Sequence, residues 1–142
     1  MKIPTALEIN PYDDLDGRTA LKNFLGKSFQ DATEMFMQNS YSLSEDLMWM
    51  GIKAFAFYLP AVIPYLESDE SQYDCFTASS LISTFRFRLE HEPETIQIAG
   101  NPMISVLRVI QRNFPKYDAD QTAYPNLQIE LQKLIEQIEG RL

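Results

Sequence analysis

Residues 72–92 read QYDCFTASSLISTFRFRLEHE, and this stretch decides the predicted fold. Its apolar residues recur three and four positions apart, which is the spacing of one helix face, at Cys75, Ala78, Ile82, Phe85 and Leu89. Pro93 follows at once, and a proline ends a helix because it lacks a backbone N–H. The pattern therefore predicts a long amphipathic helix with one buried stripe.

Other helix starts are predicted where a capping residue precedes an apolar run. Ser28 and Asp31 resemble a capping box, in which each side chain bonds the other residue's backbone N–H. Ser44, with two acidic residues after it, predicts a separate helix start, because carboxylates favour the positive end of a helix. Asn101 and Pro102 predict a cap and first turn for the next helix, whose buried face holds Met103, Val106, Leu107 and Ile110.

The two ends of the chain differ in pattern. Residues 1–16 contain two prolines and little periodicity, which predicts an irregular arm. Residues 115–125 are predicted to be a polar connection, after which Asn126 begins a final helix with a heptad-like stripe of Leu127, Leu131, Leu134 and Ile138. No convincing strand or repeat is found. We expect one all-α domain over residues 1–142, an irregular bundle of six or seven helices.

Composition restricts the classes of partner and the compartment. Twenty acidic and twelve basic side chains give a net charge of −8, which argues against binding to nucleic acid or an anionic membrane. Cys75 is the only cysteine, so a disulfide within the chain is impossible. Residues 54–66 are the most apolar run, too short for a bilayer and interrupted by prolines, and no secretory signal opens the chain. These features predict a soluble cytoplasmic protein.

Catalytic and metal-binding motifs are not found in the sequence. His91 is the only histidine, and no nucleophile elbow or phosphate-binding glycine loop accompanies it. Neighbouring Glu90 and Glu92 point about 100° away from His91 on a helix, so the three cannot converge on one ion. Arg88 and Glu92 stand four apart, the spacing of a solvated ion pair. We therefore expect no enzyme activity, no cofactor and no metal.

The candidate binding segment is residues 67–74, ESDESQYD. It holds four carboxylates, one aromatic residue and no cation, and the candidate partner-binding residues are Glu67, Asp69, Glu70, Tyr73 and Asp74. One interpretation is a docking surface for a basic protein, with Tyr73 as its amphipathic anchor. The other is a solvated acidic turn that leads into a helix. The sequence leaves both interpretations open.

Two further hypotheses concern other residues. Trp49, Phe55 and Tyr58 are candidates to line a pocket for a small ligand or substrate, and His91 is a further candidate. Buried aromatic residues are more often simple core, and Trp49 in particular is predicted to be buried. The heptad-like final helix could instead pair two copies of the chain, so a homodimer with a structural role is the remaining hypothesis.

One segment resembles a known group of proteins. MWMG at residues 48–51 leads into AFAFYLPA at residues 54–61, and this run resembles a segment of small uncharacterised bacterial proteins that carry Tyr-Leu-Pro-Ala. The resemblance implies shared packing and no catalytic activity. In general character, small, acidic and without catalytic motifs, the chain also resembles immunity proteins that neutralise bacterial toxins. That resemblance implies a basic protein partner, with a toxin as one candidate.

Overall fold

The predicted all-α irregular bundle is confirmed. The computed structural model describes residues 2–117 and 125–142, and this part of the chain contains no strand. Short 3-10 helices at Leu59–Val62 and Asp69–Ser71 flank the fifth α-helix. The α-helices are α1 (Ala6–Ile9), α2 (Leu15–Phe24), α3 (Phe29–Trp49), α4 (Ile52–Tyr58), α5 (Ile63–Glu67), α6 (Cys75–His91), α7 (Thr95–Tyr117) and α8 (Leu127–Glu139).

Helix α6 carries the predicted stripe, and all five of its apolar residues are buried. The helix begins three residues later than predicted, because Tyr73 adopts a left-handed φ of 68°. Asp74 then caps the helix, with Oδ1 accepting the N–H of Thr77 at 3.1 Å. The turn that changes the chain direction therefore lies within the candidate binding segment.

The prediction of an irregular arm over residues 1–16 is only partly right, because residues 6–9 form a helical turn and α2 begins at Leu15. Thr5 and Glu8 form a complete capping box around α1. Ile9 is fully buried, and its carbonyl accepts the N–H of Gly51 at 3.0 Å. Four residues make one helical turn, so α1 is too short for apolar periodicity to reveal it.

The helix that begins after Ser28 is interrupted by a kink at Asn39, whose backbone is non-helical, and helical residues resume beyond it to Trp49. The capping box of Ser28 and Asp31 is confirmed, with both hydrogen bonds at 3.0 Å. The separate start at Ser44 is wrong, because the helical segment beyond the kink already includes Ser44. The Ser44 hydroxyl donates to the carbonyl of Tyr41 instead, as serines inside helices do.

The predicted helix start at Asn101 and Pro102 is also wrong. Helix α7 begins at Thr95 and contains Pro102 and Pro115 within its length. An interior proline costs about 3 kcal/mol, but the buried face extends upstream through Ile96 and Ala99, and its burial offsets that cost. The four residues predicted for this face are buried. Of the predicted polar connection, residues 115–117 belong to α7, and residues 118–124 lie outside the described residues.

Helix α8 packs its predicted stripe against α7 and α6 inside the chain. All four stripe residues are buried, and Ile135 joins them. A coiled coil with a second copy would need these side chains to leave the core, so the stripe offers no free seam for a homodimer.

Helices α3 and α6 run parallel to one another. Ser40 bonds Thr77 at 3.0 Å, Ser44 bonds Ser80 at 2.8 Å, and the ring of Trp49 lies 5.3 Å from that of Phe87. Residue numbers rise together along both helices, which defines the parallel direction. The N-terminal end of this pair carries the candidate binding segment, and the C-terminal end carries Trp49.

Candidate functional site

The four carboxylates of residues 67–74 have different environments. The segment leaves α5, forms the 3-10 helix Asp69–Ser71 and turns into α6. Glu67, Asp69 and Glu70 are exposed, whereas Asp74 is only partly exposed. In the sequence these four carboxylates form one acidic cluster, whereas in the fold they lie in different environments.

The carboxylate of Asp74 points into the protein. Besides capping Thr77, it accepts hydrogen bonds at Oδ2 from the hydroxyls of Tyr65 at 2.5 Å, Thr77 at 2.7 Å and Ser40 at 3.3 Å. Burial, reinforced by the hydrogen bond to Asp74, raises the pKa of Tyr65 to about 12. The phenol therefore remains a donor at neutral pH. Asp74 joins α3, α5 and α6, so its main role is structural.

Glu67 is compensated by cations that are distant in sequence. Its carboxylate lies 3.9 Å from the guanidinium of Arg112 on α7. Lys116, one turn further along α7, donates from Nζ to the carbonyls of Leu66 at 3.1 Å and Ser68 at 2.9 Å. An ammonium at this position favourably meets the C-terminal end of α5. The segment contains no cation of its own, but the fold supplies two at its base.

Tyr73 stands out from the surface. Its side chain is 64% exposed, and its left-handed backbone is held by an N–H bond to the carbonyl of Lys116 at 2.8 Å. Asp69 and Glu70 precede it and are exposed. Of the five candidate residues, these three are therefore the ones whose side chains remain directed to solvent without an opposing charge.

Two further aromatic residues extend this surface, and the sequence analysis missed both. Phe76 in the first turn of α6 meets Tyr41 of α3 edge to face, with ring centroids 6.4 Å apart, and both are about half exposed. Phe76 lies off the buried stripe of α6, which is the signal that identifies an exposed aromatic residue. We call Tyr41, Asp69, Glu70, Tyr73 and Phe76 the Tyr73 surface.

The four residues of the proposed aromatic pocket do not share a cavity wall. Phe55 and Tyr58 are completely buried in the core, where the Tyr58 hydroxyl donates to the carbonyl of Lys27. Trp49 is 39% exposed, so the prediction that it is buried is wrong. It lies in the last turn of α3, with His91 exposed on the neighbouring helix. Trp49 and His91 both contact Phe87 at the surface.

Arg88 is a buried cation that the sequence analysis placed in a solvated ion pair. Its side chain is 1% exposed, and Nη1 donates to the carbonyls of Leu47, Met48 and Met50 at the end of α3. Glu92 lies 3.3 Å away, and the guanidinium stands 4.4 Å from the ring centre of Phe55. Burial lowers the pKa of Arg88 to about 10, so the group stays charged at neutral pH. Arg88 thereby caps α3, which has no cation in its own last turn.

Neither a metal-binding cluster nor a membrane-spanning helix is found in the part of the chain that the structure describes. Within residues 2–117 and 125–142, no group of three or more histidine, cysteine or carboxylate side chains is arranged to hold a metal ion. In the same part of the chain, no helix has the length and apolarity needed to cross a bilayer. No protein-family model, curated protein or solved structure matches the chain. A function must therefore be inferred from the chain's own residues.

Proposed function

We propose that this chain is a cytoplasmic protein-binding module, most concretely an immunity protein that neutralises a basic bacterial toxin through the Tyr73 surface. One observation carries the proposal: a 64% exposed tyrosine is held in a left-handed backbone conformation. That conformation costs a non-glycine residue roughly 1–2 kcal/mol. Strain of this kind persists where the surrounding structure imposes it, and it is concentrated at functional sites. An exposed ring on a fixed backbone suits a docking anchor.

Rigidity favours Tyr73 as an anchor for a protein. Tyrosine is among the residues that contribute most to binding energy in protein interfaces. The bond from its N–H to Lys116 fixes the backbone before any partner arrives, so little conformational entropy is lost on binding. Phe76, three residues after Tyr73, and Tyr41, which it contacts, add exposed aromatic area.

Charge favours a basic partner. Asp69 and Glu70 flank the anchor, and the whole chain carries a net charge of −8. Complementary charge accelerates association and excludes like-charged competitors. Toxins that attack nucleic acid carry basic surfaces because their substrate is polyanionic. An acidic inhibitor of this size is complementary to such a surface.

The test begins with the product of the neighbouring gene, because an immunity gene normally lies beside its toxin. Co-expression should protect the host cell and give a stable complex. The association and dissociation rates are then measured by surface plasmon resonance at low and high salt. Steered association slows as salt rises, since exposed charges are screened beyond about 10 Å at 0.1 M.

Two variants separate the anchor from the charges. Tyr73→Gly removes the ring and relieves the backbone strain, so it should dissociate about tenfold faster or more while remaining folded. The double variant Asp69→Asn with Glu70→Gln should mainly slow association at low salt. Glu90→Gln with Glu94→Gln makes the same charge change at the other end of α6 and serves as the control. Unchanged rates in both test variants, or the absence of protection and complex formation, would contradict the proposal.

A further inference from the structure

A cleft lies at the C-terminal end of the α3–α6 pair, on the side facing α2. Its volume is about 310 Å³, and its walls include Leu15, Asp16, Glu45, Asp46 and Trp49. Its walls reach along α3 as far as Ser42, next to Tyr41, but they include none of the residues from Asp69 to Phe76. The inference below uses Trp49, Asp46 and Glu45 only, so it does not rest on the proposed function.

Asp46 gives the cleft a carboxylate with one oxygen hydrogen-bonded inside the protein. Its side chain is 5% exposed, and Oδ2 accepts a hydrogen bond from Asn23 at 2.7 Å. Oδ1 has no hydrogen-bond partner among the described residues, although Asp46 forms part of the cleft wall. Burial raises the pKa of Asp46, opposed by the Asn23 bond and reinforced by Glu45.

Trp49 gives the cleft an aromatic wall. The Phe87 ring packs against the indole at a centroid distance of 5.3 Å and an interplanar angle of 64°, which holds the indole in place. The indole remains 39% exposed. Tryptophan is the aromatic side chain that attracts cations most strongly through its ring face.

The chemistry of these walls selects an organic cation. The carboxylates of the described residues do not converge to hold a metal ion, and a bare ion would make no use of the indole. A guanidinium group is planar, stacks on aromatic rings and donates paired hydrogen bonds to carboxylates. We propose that the Trp49 cleft binds a guanidinium group, stacked on the indole and bonded to Asp46 Oδ1, with Glu45 adding charge.

The experiment uses the intrinsic fluorescence of Trp49, which is the only tryptophan in the chain and lies in the cleft wall. Ethylguanidinium is titrated into the protein, and ethylurea, which has a similar planar shape and no charge, is the matched control. We expect a saturable change in emission with ethylguanidinium alone. Asp46→Asn preserves the acceptor for Asn23 and should weaken binding about tenfold or more, because a charged hydrogen bond is lost.

Glu45→Gln is a second variant, at an exposed position, and it can be measured even if Asp46→Asn perturbs the fold. Glu45→Gln should weaken binding of ethylguanidinium by a smaller factor than Asp46→Asn does. Asp69→Asn, on the Tyr73 surface, should leave binding unchanged. The proposal is overturned if ethylguanidinium gives no saturable change, if ethylurea gives the same change, or if both cleft variants bind as the unmodified protein does.

A further titration distinguishes the two sources of a guanidinium group. N-acetylarginine amide represents an arginine side chain within a polypeptide. Binding at least as tight as that of ethylguanidinium assigns the cleft to an arginine of a protein, and much weaker binding assigns it to a free guanidino compound. Loss of this site would leave docking at Tyr73 intact, so the two proposals fail independently.

Discussion

The contact between α7 and α8 is formed mainly by aliphatic side chains. Much of the contact between α3 and α6 is formed by hydroxyl groups, a carboxylate and a guanidinium. Between α7 and α8, the stripe from Leu127 to Ile138 meets a face that is equally apolar. Between α3 and α6, Ser40 and Ser44 meet Thr77 and Ser80, with Asp74 at one end and Arg88 at the other. Both candidate surfaces lie at the ends of the polar pair. The difference indicates that buried polar contacts fix the start of α6 and the end of α3, beside both candidate surfaces, whereas apolar burial holds α7 and α8 together.

The largest expected effect is at Arg88, whose removal breaks the polar pair at its C-terminal end. Arg88→Met should lower the free energy of unfolding by about 3–5 kcal/mol, because buried carbonyls lose their donor and Glu92 loses its charge partner. Urea denaturation measures this. Arg86→Met is the control: its pair with Glu130 is exposed, so the loss should stay below about 1 kcal/mol. Equal losses of unfolding free energy in Arg88→Met and Arg86→Met would mean that the buried contacts of Arg88 do not stabilise the fold.

Leu131→Ala tests the apolar pair in the same way. Leu131 is 1% exposed, and its truncation leaves a cavity between α7 and α8. The expected loss is about 3 kcal/mol, within the range for buried leucines. The Tyr73 surface should be unaffected, which partner association or the amide chemical shift of Tyr73 can verify. A change at Tyr73 as large as that near Leu131 would show that the two helix pairs are not independent.

The smallest expected effect is a gain in folding stability when Asp46 is replaced by asparagine. Its pKa is raised in the folded protein, so the folded state binds more protons than the unfolded state just above the ordinary aspartate pKa. Stability therefore falls as pH rises through the raised pKa. Asp46→Asn should be more stable than the unmodified protein at neutral pH, by less than about 1 kcal/mol. Thermal melts across pH should show this difference vanish in acid, where both side chains are neutral; a difference independent of pH would refute the explanation.

Much of the fold follows from the sequence, because apolar stripes report burial directly. The stripes of α6 and α8 and the central face of α7 are all buried as expected. The predicted helix starts are wrong where a local capping or proline signal opposes the packing of a longer apolar face. Ser44 has the composition of a helix start, and Pro102 that of a first turn, yet both lie inside helices whose apolar faces continue past them.

The candidate site was predictable only in part. The carboxylates indicate an acidic segment, and Tyr73 within it is exposed, as an anchor would need to be. The inward direction of Asp74 was not predictable, because Tyr65 and Ser40 reach it from other helices. Arg112 and Lys116, which offset the charge, are about forty residues away in sequence. Contacts between distant residues leave no periodic signal in a single sequence.

The central claim is that residues 67–74 divide into a structural carboxylate, Asp74, and outward-facing groups at Asp69 and Glu70. The most direct test compares the urea unfolding free energies of Asp74→Ala and of the double variant Asp69→Ala with Glu70→Ala. Asp74→Ala should lose about 2–3 kcal/mol, because the cap of α6 and the acceptor for the Tyr65 hydroxyl both disappear. The double variant should stay within about 0.5 kcal/mol of the unmodified protein, or become slightly more stable. A double variant destabilised as much as Asp74→Ala, or an unaffected Asp74→Ala, would contradict this division.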